Sequence, residues 1–246
     1  MIATDARILW QLLRGQQGHG SHADRLQAFY GPQVARYDTF RERLLQGRRE
    51  LVGTLPTPPG ARLVELGAGT GRNLDFFGER LAYLAHVALV DLCPALLEHA
   101  RVRTRGLSNV SVVEADVVHW QPDEPVDVVM FSYSLTMVPD WRRAIDNAVR
   151  MLRPGGVLGV VDFFLSYPDG GPGRAWHGSL ARAFWRRWFG HDGVRLNPHH
   201  LAHLMDRLPN HELWEGQAAV PYLPGLKVPY YRFVGRVPAA DSTGPG

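Results

Sequence analysis

Five short apolar runs, separated by stretches of helical spacing or by turns, constrain this 246-residue chain more than any other feature. They fall at 61–66, 86–91, 109–116, 126–132 and 157–164. Each is nearly continuous in Val, Leu and other apolar residues, as expected of parallel strands buried on both faces. Helical patterns occupy 73–82, 94–104 and 140–152 between them. Pro94 opens the second helix, and Arg153-Pro154-Gly155-Gly156 ends the third. This alternation predicts an α/β fold built on a doubly wound, Rossmann-like sheet. Residues 211–220 and 228–237 read as a closing strand pair, which brings the sheet to seven strands.

The flanking segments read differently. Leu26, Phe29, Tyr30, Val34 and Tyr37 recur at spacings of three and four, as on one helix face, with a break at Gly31-Pro32. A second helix is expected through Arg41, Leu44 and Leu45, and 54–60 is a Pro-rich connector. The expected organisation is a helical extension or lid over 1–50 and a main domain over 51–237. The domain carries a helical insertion at about 174–208, and a disordered tail follows at 238–246. Hydrophobic residues make up 45% of the chain and charged residues 21%, enough for a full core. No run approaches the ~18 apolar residues of a membrane span. The first residues lack the basic and apolar regions of a signal peptide. With Cys93 as the one cysteine, these features suggest the cytoplasm. The net charge of +3 names no partner by itself. No long basic run or recognition motif points to nucleic acid.

Chemistry enters at Val64-Glu65-Leu66-Gly67-Ala68-Gly69-Thr70-Gly71, where strand one meets the first helix. Glycines there permit a tight turn and the close approach of a ligand. A dinucleotide fold places its third glycine at position 72, where this chain has Arg72. Strand two ends in Asp91, where a carboxylate can hold ribose hydroxyls, and strand three is read as ending in Asp116. Three successive strands thus carry acids toward the edge where such sheets bind ligands. A nucleotide-binding domain of another kind is the competing reading.

This combination resembles the class I methyltransferases that use S-adenosyl-L-methionine (SAM) and release S-adenosyl-L-homocysteine. The resemblance implies that Glu65, Gly67, Ala68, Gly69, Gly71 and Asn73 address the methionine part of SAM. It places Asp91 at the ribose, Leu92 against adenine, and Asp116 and Val117 at the adenine edge. Ser132 then lies near the reacting centre, and Tyr37 covers the cofactor. Outside the core, 29–48, 131–156 and 184–198 resemble the N-methyltransferase component of betaine-lipid synthesis. That family methylates the amino group of diacylglyceryl-homoserine, which implies an amine-bearing lipid acceptor. The last two strands carry no matching segment.

An amine must be neutral to attack a methyl group. Deprotonating one at pH 7 costs about 1–4 kcal/mol for an amino-acid-like pKa. His191-Asp192 or His177 would accept the proton. Tyr30, Tyr37, Tyr133, Trp185 and Trp188 are candidates for an aromatic cage around the quaternary product. Each also has a plainer reading, as a turn for His191-Asp192 and as packing for the aromatics. His199-His200 and His203 lack the glutamate of a zinc motif, so no metal is expected. Trp176, Leu180, Phe184 and Trp188 share i, i+4 spacing, with Arg182, Arg186 and Arg187 off that line. Such a helix suits peripheral contact with an anionic membrane, or a cover over the site with solvated arginines. A small soluble amine or hydroxyl, phosphatidylethanolamine, and a non-catalytic SAM-binding role are the alternatives.

Overall fold

The computed structural model describes residues 44–167, 177–190, 194–220 and 225–239. Among these, seven strands form one sheet. They are β1 (Arg62–Leu66), β2 (His86–Asp91), β3 (Val110–Glu114), β4 (Val126–Ser132), β5 (Leu152–Phe163), β6 (His211–Ala219) and β7 (Lys227–Arg236). The spatial order is β3-β2-β1-β4-β5-β7-β6. The first five are parallel, while β7 runs antiparallel to both β5 and β6. Strand order reverses between β1 and β4, and a crevice opens beyond their carboxyl ends at such a point.

Side chains alternate across the sheet. Leu63, Val87, Leu89, Val128, Met130 and Val161 face one layer. There they meet α1 (Arg48–Thr54), α4 (Ser179–Gly190) and two 3-10 turns. Val64, Leu66, Ala88, Val90, Phe131 and Val160 face the other layer, made by α3 (Trp141–Met151) and α5 (His199–Arg207). In α3, Trp141, Ala144, Ile145, Ala148 and Met151 are buried, one stripe at helical spacing. α2 (Pro94–Arg103) lies against β2 and β3.

Three local expectations are corrected. Residues 73–82 are not one α-helix but two 3-10 turns, Arg72–Phe76 and Gly78–Tyr83. Gly78, at φ +56°, interrupts a continuous right-handed helix. β3 ends at Glu114, so Asp116 sits in the following loop. β5 begins at Leu152, and its register against β4 shifts around Val126 where Arg153–Gly156 bows out.

α1 straddles the expected boundary at residue 50 and is part of the core. Leu51 and Val52 are fully buried. Gly159 in β5 makes room for this helix, because a Cβ there would stand 2.6 Å from Leu55 Cδ2. Leu51→Ala should therefore cost about 2–5 kcal/mol in urea unfolding. A loss well under 1 kcal/mol would mean that α1 is not part of the cooperative unit.

Candidate functional site

β1 runs straight into the glycine loop. Gly67, Gly69 and Gly71 have φ of 73°, 55° and 69°, a region that side chains other than glycine's rarely adopt. Gly67 N and Ala68 N donate to the Val90 carbonyl at 2.8 and 3.0 Å. Gly69 N donates to Asp91 Oδ2 at 2.8 Å, and Cys93 N to Asp91 Oδ1 at 2.9 Å. The Asp91 carboxylate thus ties the loop after β1 to the turn after β2. Behind the loop, Asn73 Nδ2 donates to Glu65 Oε1 at 2.5 Å, and Arg48 Nη1 reaches Asn73 Oδ1 at 3.5 Å.

The chain leaving β4 forms the facing wall. Tyr133 adopts φ +54°, the one positive value at a non-glycine position among the described residues. It is held at both ends: its N–H donates to the Val161 carbonyl at 2.8 Å and its hydroxyl to the Gln46 carbonyl at 2.6 Å. Such strain costs on the order of 1–3 kcal/mol and collects at functional sites. Burial, reinforced by the Asp162 charge, pushes the Tyr133 hydroxyl well above its usual value. It therefore stays protonated at neutral pH and is no general base. Ser134 Oγ donates to the Leu66 carbonyl at 2.7 Å. A Cβ on Gly67 would fall 2.3 Å from Ser134 Cβ, so the two loops meet here with no space for a side chain.

These elements enclose a cavity of about 250 Å³. Gly67 and Gly69 form its floor, and Asp91, Leu92 and Leu96 one side. Asp116 and Val117 lie beyond β3, and Tyr133, Ser134 and Met137 stand opposite. A small recess continues behind the loop between Ala68, Asn73, Ser132 and Arg48. Ser132 Oγ is buried there without a hydrogen-bond partner among the described residues.

The methyltransferase-domain family matches residues 37–209, well over half of the chain. This chain is a class I SAM-dependent methyltransferase domain. It is 32% identical over 124 residues to trans-aconitate 2-methyltransferase from Azoarcus sp. (strain BH72), covering 50% of this chain and 47% of that one. It is 30% identical to the ubiquinone/menaquinone biosynthesis C-methyltransferase of Vibrio parahaemolyticus, covering 53% and 54%. The chain thus spans about half the length of the curated relatives it matches. Its fold is shared by the N-methyltransferase NodS of Bradyrhizobium japonicum WM9 in complex with S-adenosyl-L-homocysteine. That match has a TM-score of 0.62 at 22% identity and covers 89% of this chain and all of NodS.

The methyltransferase cavity fits SAM on its own chemistry. Bare glycine backbone allows close approach at Gly67 and Gly69. A rim carboxylate at Asp91 suits ribose hydroxyls. Leu92, Leu96 and Val117 offer apolar walls to a flat base, and Ser132 has hydrogen-bonding capacity to spare. Glu65 and Gly71 line neither cavity. Glu65, 1% exposed, acts on Asn73 from beneath the loop, and Gly71 lets the chain leave it.

Other candidates are placed elsewhere. His177 lines neither cavity. Its Nδ1 accepts from Ser166 N at 2.9 Å, its own N–H donates to Ser166 Oγ at 2.9 Å, and burial with the nearby Arg182 lowers its pKa. It fastens a loop, and the role of base is not supported. Trp185 is 4% exposed, and Trp188 packs beside it in a ring cluster with Phe184 and Phe189. Trp185 is thus core and not an open cage. The buried line of α4 runs through Trp185 and Phe189, one residue over from the expected line, and Leu180 and Phe184 are exposed. Tyr30, Tyr37, Trp176, His191 and Asp192 lie outside the described residues. Among the described residues, no group of three His, Cys, Asp or Glu is placed to hold a metal ion.

Reading the sequence missed Arg48, Ser134 and Asp162. Arg48 sat in the presumed extension, and Ser134 carries no signal of its own. Asp162 did leave one, as an acid inside an apolar strand. Gly67→Ala should weaken SAM binding at least about tenfold through the strained φ and the clash with Ser134. Calorimetric titration of a variant shown to be folded would check this, and an unchanged Kd would remove Gly67 from the site.

Proposed function

We propose that this methyltransferase is an N-methyltransferase whose acceptor is the amino group of a lipid, diacylglyceryl-homoserine first among candidates. Bound SAM supplies an electrophilic methyl group on a sulfonium. The acceptor nitrogen forms the new C–N bond as the C–S bond breaks, and S-adenosyl-L-homocysteine leaves. The chain's own part is to position the two partners and take up the amine proton. On this reading Asp91 would hold the ribose, and Leu92, Asp116 and Val117 the adenine. Gly67, Ala68, Gly69, Asn73 and Ser132 would hold the methionine end. His191-Asp192 would serve as the base. Tyr37, from the segment before α1, would cover the cofactor and Tyr30 would face the acceptor, while Trp188 would contribute to the acceptor side.

The observation that carries the lipid reading is the outer face of α4. Leu180 and Phe184 are 85% and 42% exposed, and Arg186 and Arg187 are exposed beside them. No acidic residue occurs in the helix. A basic helix presenting apolar side chains suits the surface of an anionic bilayer. No helix among the described residues is long and apolar enough to cross a membrane, so the contact would be peripheral. The trans-aconitate methyltransferase relatives favour a second reading, methylation of a small molecule.

Purified protein with SAM should add one to three methyl groups to diacylglyceryl-homoserine in mixed micelles, measured by product mass. It should add none to phosphatidylethanolamine or a panel of small amines and acids. Methylation of a small acceptor alone would replace the lipid reading, and SAM binding without any product would favour a non-catalytic role. Arg186→Glu with Arg187→Glu should also weaken partitioning onto phosphatidylglycerol vesicles, followed by sedimentation, by about thirtyfold, at roughly 1 kcal/mol per lost basic contact. Undiminished sedimentation would remove α4 as the contact.

A further inference from the structure

Asp162 lies on β5 with its side chain wholly buried, and it lines neither cavity. A carboxylate in an apolar strand is costly unless its oxygens are satisfied. Here they are spent on one residue and its surroundings. Thr136 N donates to Oδ2 at 3.0 Å, while Thr136 Oγ1 and Phe163 N each donate to Oδ1 at 2.8 Å. Thr136 is the centre of the 3-10 turn Leu135–Met137 and is itself 2% exposed. On its other side, its carbonyl accepts from Arg195 N at 2.9 Å. The turn is therefore gripped from the sheet by Asp162 and from the 194–197 segment by Arg195. The same turn carries Ser134, Met137 and Val138 on the cavity wall, and Ser134 is the residue that seats against Gly67.

We propose that Asp162 is a positioning residue for SAM: by holding Thr136 it fixes the Ser134–Val138 wall, and so sets the affinity of the cavity for the cofactor. The inference needs only SAM binding and stands whichever acceptor is methylated. Packing alone does not explain the residue, because a neutral side chain of similar shape would fill the space without the cost of a buried charge.

The ionisation of Asp162 gives the role a signature. Burial raises its carboxyl to about 6, against the pull of the Thr136, Phe163 and Leu135 donors. The groups facing it are Tyr133, on the same wall, and Tyr231, its antiparallel partner on β7. Both phenols are held well above 10 by burial and by the Asp162 charge, so they stay neutral. Arg48 and Glu50 act on Tyr133 from α1. Below about pH 6 the protonated carboxyl no longer accepts all three bonds, and the wall loosens. The native state holds this proton more tightly than the unfolded chain does. Ionising Asp162 therefore lowers stability as pH rises from about 4 to about 6, and no further loss follows above that. Asp162→Asn removes the buried charge and should not unfold the protein.

SAM affinity of the full chain is measured calorimetrically from pH 5 to 8, with thermal unfolding followed at each pH. The wild type should bind about tenfold more weakly at pH 5 than at pH 8, the worth of a bond to a charged acceptor. Asp162→Asn should bind about tenfold more weakly at pH 8 and show no further loss toward pH 5. Thr136→Val, which keeps the shape of the turn and removes the hydroxyl, should weaken binding at pH 8 several-fold. An Asp162→Asn variant with wild-type affinity at pH 8 overturns the proposal. So does one that keeps the acid limb, which would then belong to another group. Should Asp162→Asn fail to fold, Thr136→Val decides, and a lowered Tm with unchanged Kd overturns the assignment.

Discussion

Two loops leave neighbouring parallel strands in the same direction and meet at Gly67 and Ser134, with no room between them for a methyl group. The cavity depends on that contact. β1 and β4 are adjacent because the strand order reverses there, so both loops open on one edge of the sheet. Each is then fixed by a carboxylate from the next strand outward. Asp91 on β2 holds Gly69, and Asp162 on β5 holds Thr136. The two acids do similar work in different surroundings. Asp91 stands at the rim and also lines the cavity, whereas Asp162 is sealed inside and acts only through the turn. Backbone geometry at the site thus rests on side chains that sequence motifs alone would assign to ligands or to the core.

Much of the sheet was legible because burial on both faces leaves a coarse signature. β2 and β4 have the expected limits, and β1 differs by one residue. The loop after β1 was legible for a different reason: three positive φ values in five residues demand glycines, and the glycines are visible. Residues 73–82 were misread because Leu74, Phe77 and Leu81 also suit helical spacing, yet one left-handed glycine at position 78 divides the segment. Asp116 was placed on a strand because the apolar run carries on to the acid. In fact the chain turns at Asp116, whose Oδ1 accepts the Val118 N–H at 2.9 Å. Ser134 and Asp162 act through contacts between segments distant in sequence, and no local pattern encodes such contacts.

The side chains expected to do chemistry show a related limit. His177 and Trp185 are residue types common in active sites, and both are buried in structural roles. Residue type suggests chemistry, but whether a side chain faces a cavity is decided by the sheet and helices that carry it. Tyr133 shows the opposite outcome. It does reach the cavity, yet its hydroxyl is committed to the Gln46 carbonyl and kept protonated. What it presents to a ligand is ring and backbone, not a proton acceptor.

The same tyrosine links the cofactor cavity to α4. Its ring lies 4.6 Å from that of Phe163, Phe163 lies 4.9 Å from Phe189, and Phe189 lies 5.7 Å from Trp185. These contacts make the inner face of α4 continuous with the cavity wall, while its outer face carries Leu180, Phe184, Arg186 and Arg187. A helix is about 10–12 Å across with its side chains. The thickness of α4 and the packed rings of Tyr133 and Phe163 thus lie between that basic, apolar surface and the cavity wall. On the lipid reading proposed above, the headgroup amine would have to reach past both from a bilayer lying on α4.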